Sequence, residues 1–509
     1  MNPNDLVCAL GNPRADEFAH EQHLARHAGR SWAAIDRLEA LAELKHLADA
    51  GRIAVPGRRR GANTHVHTNE SFSIFRSPCE AAWQGFVEGL DVLGINDHYT
   101  IGGHDEFRDA CRLLGLRATF SMEAVALDEG CQERGIRCND PGNAGRTYLS
   151  AKGVLHDLPR ASQGRADLNI MRKSLTGRNR RMVEKLNGIL TDLTPRLELG
   201  FDAVLALTPR GNTTERHVSQ ALAELIDSAL PDPGARAAFL RSLVGELDEA
   251  DTQTSAAYQN MLRAKLVKAG GPAYVEESPE AFVSWQRMIS MYLEFGAIPS
   301  YPVLGNPVVE LEEYLDSLFS EIERHGLYAI EVIPHRNEHD RLAAILDAAA
   351  GRNCPVFNGT EHNTKTPMPL LDRWSGSDEF IGQFERGADV LIGHQVLGGY
   401  AGFGYVLPDG SLSVPDRAYG LELFGFAGRM IQKPETLRLL ADLGSDAALR
   451  LLAGLFAVAP AAGAWSIAGR AAITAAQLAG VQVQNGAASF ASPADADFLA
   501  NWAAENMIA

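Results

Sequence analysis

Along the first 57 residues, apolar positions recur at helical spacing. The run IDRLEALAELKHLADAG places Ile35, Leu38, Leu41, Leu44 and Leu47 near one face and stops at Gly51, which predicts an amphipathic helix closed by glycine. From Gly61 the pattern changes to short β-branched or apolar runs that end in polar, ligand-type residues. These are 64–68 (THVHT), 91–98 (DVLGINDH), 118–126 (ATFSMEAVA), 328–335 (YAIEVIPH), 355–362 (PVFNGTEH) and 389–394 (DVLIGH). Helix-patterned stretches at 78–89 and 104–114 separate the early ones. Strand and helix in alternation predict an α/β fold around a parallel sheet, whose active site in a barrel lies at the C-terminal strand ends.

The long stretch 131–299 is too helix-patterned to be a loop and is expected to be an inserted, mainly helical lobe. The organisation expected is therefore a helical N-terminal extension (1–60), a barrel built from 61–130 and 300–405, the lobe, and a C-terminal region (406–509). That region opens with a hairpin signal, GYVLPDGSLSV, followed by an Ala-rich helical tail. The lobe leaves near Glu123 and returns near Tyr301, so it, and not the tail, should cover the strand ends.

Composition narrows the class. Of 509 residues, 46% are hydrophobic and 22% charged, enough to bury a core and cover it, which excludes a disordered chain. The net charge of −17 repels polyanions, so nucleic acid beyond short oligonucleotides is not an expected partner. Six cysteines without a C-x-x-C pair read as reduced thiols, and the N-terminus lacks the pattern of a secretory signal, which points to the cytoplasm. The uncharged stretch 451–469 approaches the length of a membrane span. Its Ala/Gly content, Pro460 and the flanking Arg450 and Arg470 read as buried helices, so no membrane partner is expected.

The candidate chemistry sits at the strand ends. His65, His67, His98, Glu123, His335, Glu361, His362 and His394 all fall there, and imidazoles converging with carboxylates on one face are what a divalent cation requires. The H-x-H pair is the sharpest signal, because alternate residues of a strand point to the same side. Asp97 beside His98 reads as an outer carboxylate that orients a ligand. His20, His23 and His27 share a helix face and read as solvated surface.

The order H-x-H (His65, His67), a strand ending in Asp97-His98, then Glu123, the hairpin-like TYLSAKG and the segment GTEHN (359–363) resembles the PHP family, the polymerase and histidinol phosphatase superfamily. RNRRMVEKLNGIL (178–190) and TPRGNTTERHVSQAL (208–222) resemble the helical lobe of its phosphoesterases that act on nucleoside bisphosphates and short oligonucleotides. The resemblance spans about residues 61–400. It implies a distorted (β/α)7 barrel, phosphoester hydrolysis and a Zn, Mn or Fe centre. It further implies that His65, His67, Glu123 and Glu361 hold one cation, with a second possible only if His98, Glu70 or His362 recruits it. Departures are Phe72, Tyr301 and Asn363 at positions where the family has ligands, and the absence of a histidine in TYLSAKG.

The expected function is a metal-dependent hydrolase of a small phosphorylated substrate, with His98 or His335, or else Tyr301, as general acid. Arg178, Arg181, Arg216 and His217 are the expected anion clamp, since guanidinium forks match phosphate oxygens. Two alternatives stand beside it: an amide-type hydrolase using the same metal, and a non-catalytic protein that binds a small anion. The oligomeric state is not legible.

Overall fold

The structure, a computed structural model, describes residues 10, 32–57, 59–208, 210–459, 465–467 and 472–508. Cys8, His20, His23 and His27 lie outside the described residues. Seven strands stand side by side in sequence order: β1 (Ala62–Val66), β2 (Val92–His98), β3 (Arg117–Leu127), β4 (Arg146–Lys152), β5 (Ile298–Val303), β6 (Ala329–Val332) and β7 (Val356–Asn358). Neighbours are parallel except around β4, which runs antiparallel to both β3 and β5. The sheet closes on itself just beyond β7. Glu361 bridges Val66, with His67 N donating to Glu361 O (2.8 Å) and Glu361 N to His65 O (3.0 Å). This is the α/β fold that the alternation predicts, in the form of the distorted (β/α)7 barrel that the family resemblance implies. Its strands are buried on both faces, which is why runs such as VLGIND show no polar alternation.

Helices cover the outside. The expected N-terminal helix is α1 (Trp32–Asp49), and its Leu41 and Leu44 pack with Phe86 of α2 (Pro78–Val87) and Phe107 of α3 (His104–Leu114). Ser77 starts α2 by accepting from Glu80 N, one of the donors a helix start leaves unpaired.

The stretch 131–299 is not all insertion. β4 lies inside it as a barrel strand, and β5 already begins at Ile298. The remainder forms a lobe entered through α4 (Gln163–Leu190) and containing α5 (Glu215–Ala229) and α6 (Ser255–Leu262). Its own core joins Met182, Leu186, Leu222, Ile226, Phe239 and Leu262. The lobe docks on the C-terminal strand ends. The Asn212 side-chain amide donates to His98 O, and Arg210 donates to Glu70 Oε2 (3.0 Å) and to Gly102 O (3.1 Å).

At the other end of the barrel, DVLIGH is helix and not strand. It belongs to α7 (Ile381–Val396), whose stretch 387–394 is buried on every side, between the strand starts and the C-terminal core, and such a run carries no strand-or-helix period. Arg117 at the start of β3 pairs with Asp389 of α7 at 2.6 Å. Behind α7 lie α8 (Arg417–Gly428) and α9 (Pro434–Val458), preceded by the expected turn, where Val406 bridges Leu412. Residues 460–464 and 468–469 of the uncharged stretch lie outside the described residues. Among the described residues, no helix is long and apolar enough to cross a membrane.

Candidate metal centre

Three side chains meet where β1 ends, with Glu123 placed within β3 opposite the last residue of β2. Ligand atoms of His65, His67 and Glu123 all lie within 4.8 Å of one another, and all three residues are buried. Glu123 Oε1 stands 3.0 Å from His67 Nε2 and 3.5 Å from His65 Nε2. The two Nε2 atoms are 3.1 Å apart. Strand alternation supplies the histidine pair, while the β2–β3 register sets His98 opposite Glu123. Gly359 permits the closure beside them, since a Cβ there would sit 2.1 Å from His65 Cβ.

The hydrogen bonds around the imidazoles fix where their protons lie. His65 Nδ1 is 2.7 Å from Glu331 Oε1, an acceptor, so Nδ1 carries the hydrogen and Nε2 a lone pair. Ser71 Oγ donates its one proton to Asp97 Oδ1 (2.6 Å) and therefore accepts from His67 Nδ1 at 3.2 Å, leaving His67 Nε2 bare as well. Two lone pairs and a carboxylate oxygen thus point at one spot. Such an arrangement is repulsive unless a cation or a proton lies among them. His98 Nδ1 adds to this: it is 3.2 Å from Glu123 Oε1 but out of line for a hydrogen bond, so it is buried without a partner. The donor set fits a divalent metal with imidazole and carboxylate ligands.

Electrostatics agree with that fit. Burial pushes the Glu123 carboxyl up, but His98 and His65 beside it outweigh burial and hold it well below the usual range. Burial pulls His65 down, yet Glu331 and Glu123 raise it to about 10, so a proton occupies the spot when no metal does. Burial lowers His98 to about 3, against the pull of Glu123.

Above the ligands opens a cavity of about 480 Å³. His65, His98 and Glu123 form part of its lining, with Tyr148, His335 and Glu361 around them and Arg216, Arg263 and Arg336 as its cations. The lobe supplies Arg216 and Arg263, so the insertion covers the strand ends, as its points of departure and return imply. Arg263 is tied to Glu215 (2.6 Å), and Arg336 to Glu361 (3.1 Å). Arg216 has no ion-pair partner among the described residues. Burial lowers its pKa to about 10, with Arg263 adding to the effect.

Several expected site residues sit elsewhere or are otherwise engaged. Glu361 lines the cavity, but its carboxylate is held by Arg336 and by Asn363 (3.3 Å), on a turn where both Glu361 and His362 adopt positive φ. His362 has both nitrogens occupied, Nδ1 by Thr360 Oγ1 (2.7 Å) and Nε2 by Met368 O (3.0 Å), so it offers no lone pair to a metal. Glu70 is committed to Arg210. Tyr301 faces the outer helices, not the cavity, because the alternation of β5 turns it toward Trp285 and its hydroxyl to Glu312 (3.3 Å). His394 is a satisfied core histidine, at 2.9 Å from Gly296 O and accepting from Tyr405 N at 2.9 Å. His335 does reach the cavity with its Nδ1 unpaired, and burial lowers its pKa.

Of the expected clamp, Arg216 alone lines the cavity. Arg178 is folded into the lobe, donating to Val275 O (2.8 Å), and Arg181 is exposed on α4. His217 caps α5 by accepting from Thr214 N (3.0 Å). Asp97 stands behind His67, accepting from Thr68 N, from Thr68 Oγ1 and from the Ser71 hydroxyl that His67 Nδ1 contacts. No local sequence signal marks Glu331, Arg263 or Arg336, each of which reaches the site through tertiary folding.

No protein-family model matches the chain, and no curated protein resembles it in sequence. Among solved structures, one similar chain is a protein assigned as a metal-dependent phosphoesterase from Bifidobacterium adolescentis. It is 19% identical with a TM-score of 0.43 and covers 66% of this chain and 98% of its own. Another is an amidohydrolase from Chromobacterium violaceum solved with sulfate and no metal, 14% identical with a TM-score of 0.41, covering 61% of this chain and 93% of its own. At this identity and score, neither relative fixes a reaction for this chain.

Proposed function

We propose that the chain is a metal-dependent hydrolase of a small phosphoester, of the PHP type that its H-x-H, D-H, Glu123 and GTEHN segments resemble. The observation that carries the reading is the convergence of His65 Nε2, His67 Nε2 and Glu123 Oε1 beneath a cavity that His65 and Glu123 help to line and whose cations are guanidinium groups. A divalent metal bound there would polarise the ester and lower the pKa of a water. The chain's own part is to orient and to hold charge. Arg216, already partly desolvated and without a carboxylate partner among the described residues, is the fixed cation for an anionic substrate. Arg263 and Arg336 can join it by exchanging Glu215 and Glu361 for substrate oxygens. His335, neutral at pH 7 because it is buried, acts first as an acceptor and becomes a proton donor once a bound anion raises its pKa.

One metal per chain is the count this set supports. Glu70, Glu331 and Glu361 each already hold a cation of the chain itself, Arg210, Lys152 and Arg336 respectively. Ion pairing within the cavity favours the amide-type alternative, since two of its three arginines, Arg263 on Glu215 and Arg336 on Glu361, are neutralised before substrate arrives. Metal-reconstituted protein screened in parallel for phosphate release from phosphoesters and amine release from amides separates the two readings. Turnover of amides alone would overturn the phosphoester proposal, and a metal-loaded protein inert on both panels would favour the non-catalytic anion binder.

A further inference from the structure

Lys152 and Glu331 are both wholly buried, and neither lines the cavity. They nevertheless stand directly behind the metal ligands. Lys152 Nζ donates to Glu331 Oε1 at 2.5 Å and to Thr64 O, the carbonyl preceding His65, at 3.2 Å. The same Glu331 oxygen takes His65 Nδ1 at 2.7 Å, and the other accepts from Ser150 Oγ at 3.0 Å. The ammonium therefore ties a β6 carboxylate to the β1 backbone one residue from the ligand that this carboxylate orients.

A buried charge pair is an expensive way to fill a barrel, because packed apolar side chains of similar volume usually serve stability as well or better. Nor is this pair at the surface of a helix layer, where it could be incidental. It lies in the barrel interior, with its hydrogen-bond partners among the described residues all on β1, β4 or β6. What it does locally is fix the acceptor for His65 Nδ1–H and hence the direction of the Nε2 lone pair.

We propose that Lys152 is a positioning residue of the metal centre, acting through Glu331 to hold His65 with Nε2 aimed at the cation. The proposal rests on the metal reading above. It implies that Lys152, from which no metal contact is expected, sets metal affinity, and that Lys152 and Glu331 act as one unit.

The test is Co2+ titration of the full chain followed by visible absorption, with Lys152→Met, Glu331→Gln and the double variant compared with wild type and with thermal unfolding as a separate readout. Each single change is expected to weaken Co2+ binding by about 10- to 100-fold, the usual cost of losing an outer partner of a ligating histidine. The double variant should lose no more than the worse single one, because both act through one carboxylate. Should Lys152→Met not fold, the double variant removes both buried charges together and must still show the loss. A folded Lys152→Met or double variant that binds Co2+ within about twofold of wild type, whatever its melting temperature, would reduce the pair to a structural one and overturn the proposal. Wild-type protein that takes up no Co2+ would instead refute the centre itself, and this role with it.

Discussion

Arg336 Nη1 lies 3.1 Å from Glu361 Oε1, so the carboxylate that follows the last barrel strand is satisfied by a guanidinium of the same chain. Its other oxygen accepts from Asn363, and it stands outside the group whose ligand atoms converge. Glu361→Gln should therefore change divalent-metal affinity by less than about threefold, whereas Glu123→Gln should lower it about a hundredfold or more. Equilibrium dialysis against Zn2+ measures both. Equal losses would put Glu361 in the coordination sphere, as the sequence resemblance implies.

The arginines divide by position. Removing the cavity cation with Arg216→Met should cost about 1.5 to 3 kcal/mol of substrate binding, seen as a roughly 10- to 100-fold rise in KM for a phosphoester with metal content unchanged. Arg178, bonded inside the lobe to Val275 O and near Glu215 and Glu277, should behave oppositely. Arg178→Met should lower the melting temperature and leave KM within error. Steady-state kinetics with parallel thermal melts decide the matter, and a silent Arg216→Met would shift the reading toward a neutral substrate.

What the sequence made legible follows from how local each signal is. The H-x-H pair needs only strand alternation to point both rings one way, and the pattern around His65 and His67 is strand-like. Glu331 sits in the apolar run AIEV with no neighbour to betray it, and its role appears only when the closed barrel brings its carboxylate to His65 of β1, past the intervening β7. Arg178 and Arg216 look alike in composition, and their fates differ because one faces the lobe's loops and the other the cavity. DVLIGH misleads because a segment buried on every side loses the period that separates helix from strand. TYLSAKG conceals a barrel strand because β4 runs against its neighbours, outside the strand–helix alternation that marks the parallel ones.

Glu312 should give the protein a measurable acid-side stabilisation. It is fully buried, and burial lifts its pKa to about 7 even though Gly305 N and Leu304 N donate to it. Between about pH 4.5 and 7 the folded chain keeps a proton that the unfolded chain has released, so this group's contribution falls as pH rises through that window and is flat above it. Glu312→Gln removes the dependence. Its cost in urea denaturation should be larger at pH 5 than at pH 8 by about 2 kcal/mol. A cost independent of pH would show that Glu312 is ionised throughout.

The central claim is the cation held by His65, His67 and Glu123, and elemental analysis of purified protein addresses it most directly. Wild-type chain reconstituted with Zn2+, Mn2+ or Fe2+ and then desalted should retain close to one metal per chain, and His65→Ala/His67→Ala, still folded by circular dichroism, should retain none. Stoichiometric metal in the folded double variant, or none in the wild type under every loading condition, would contradict the account.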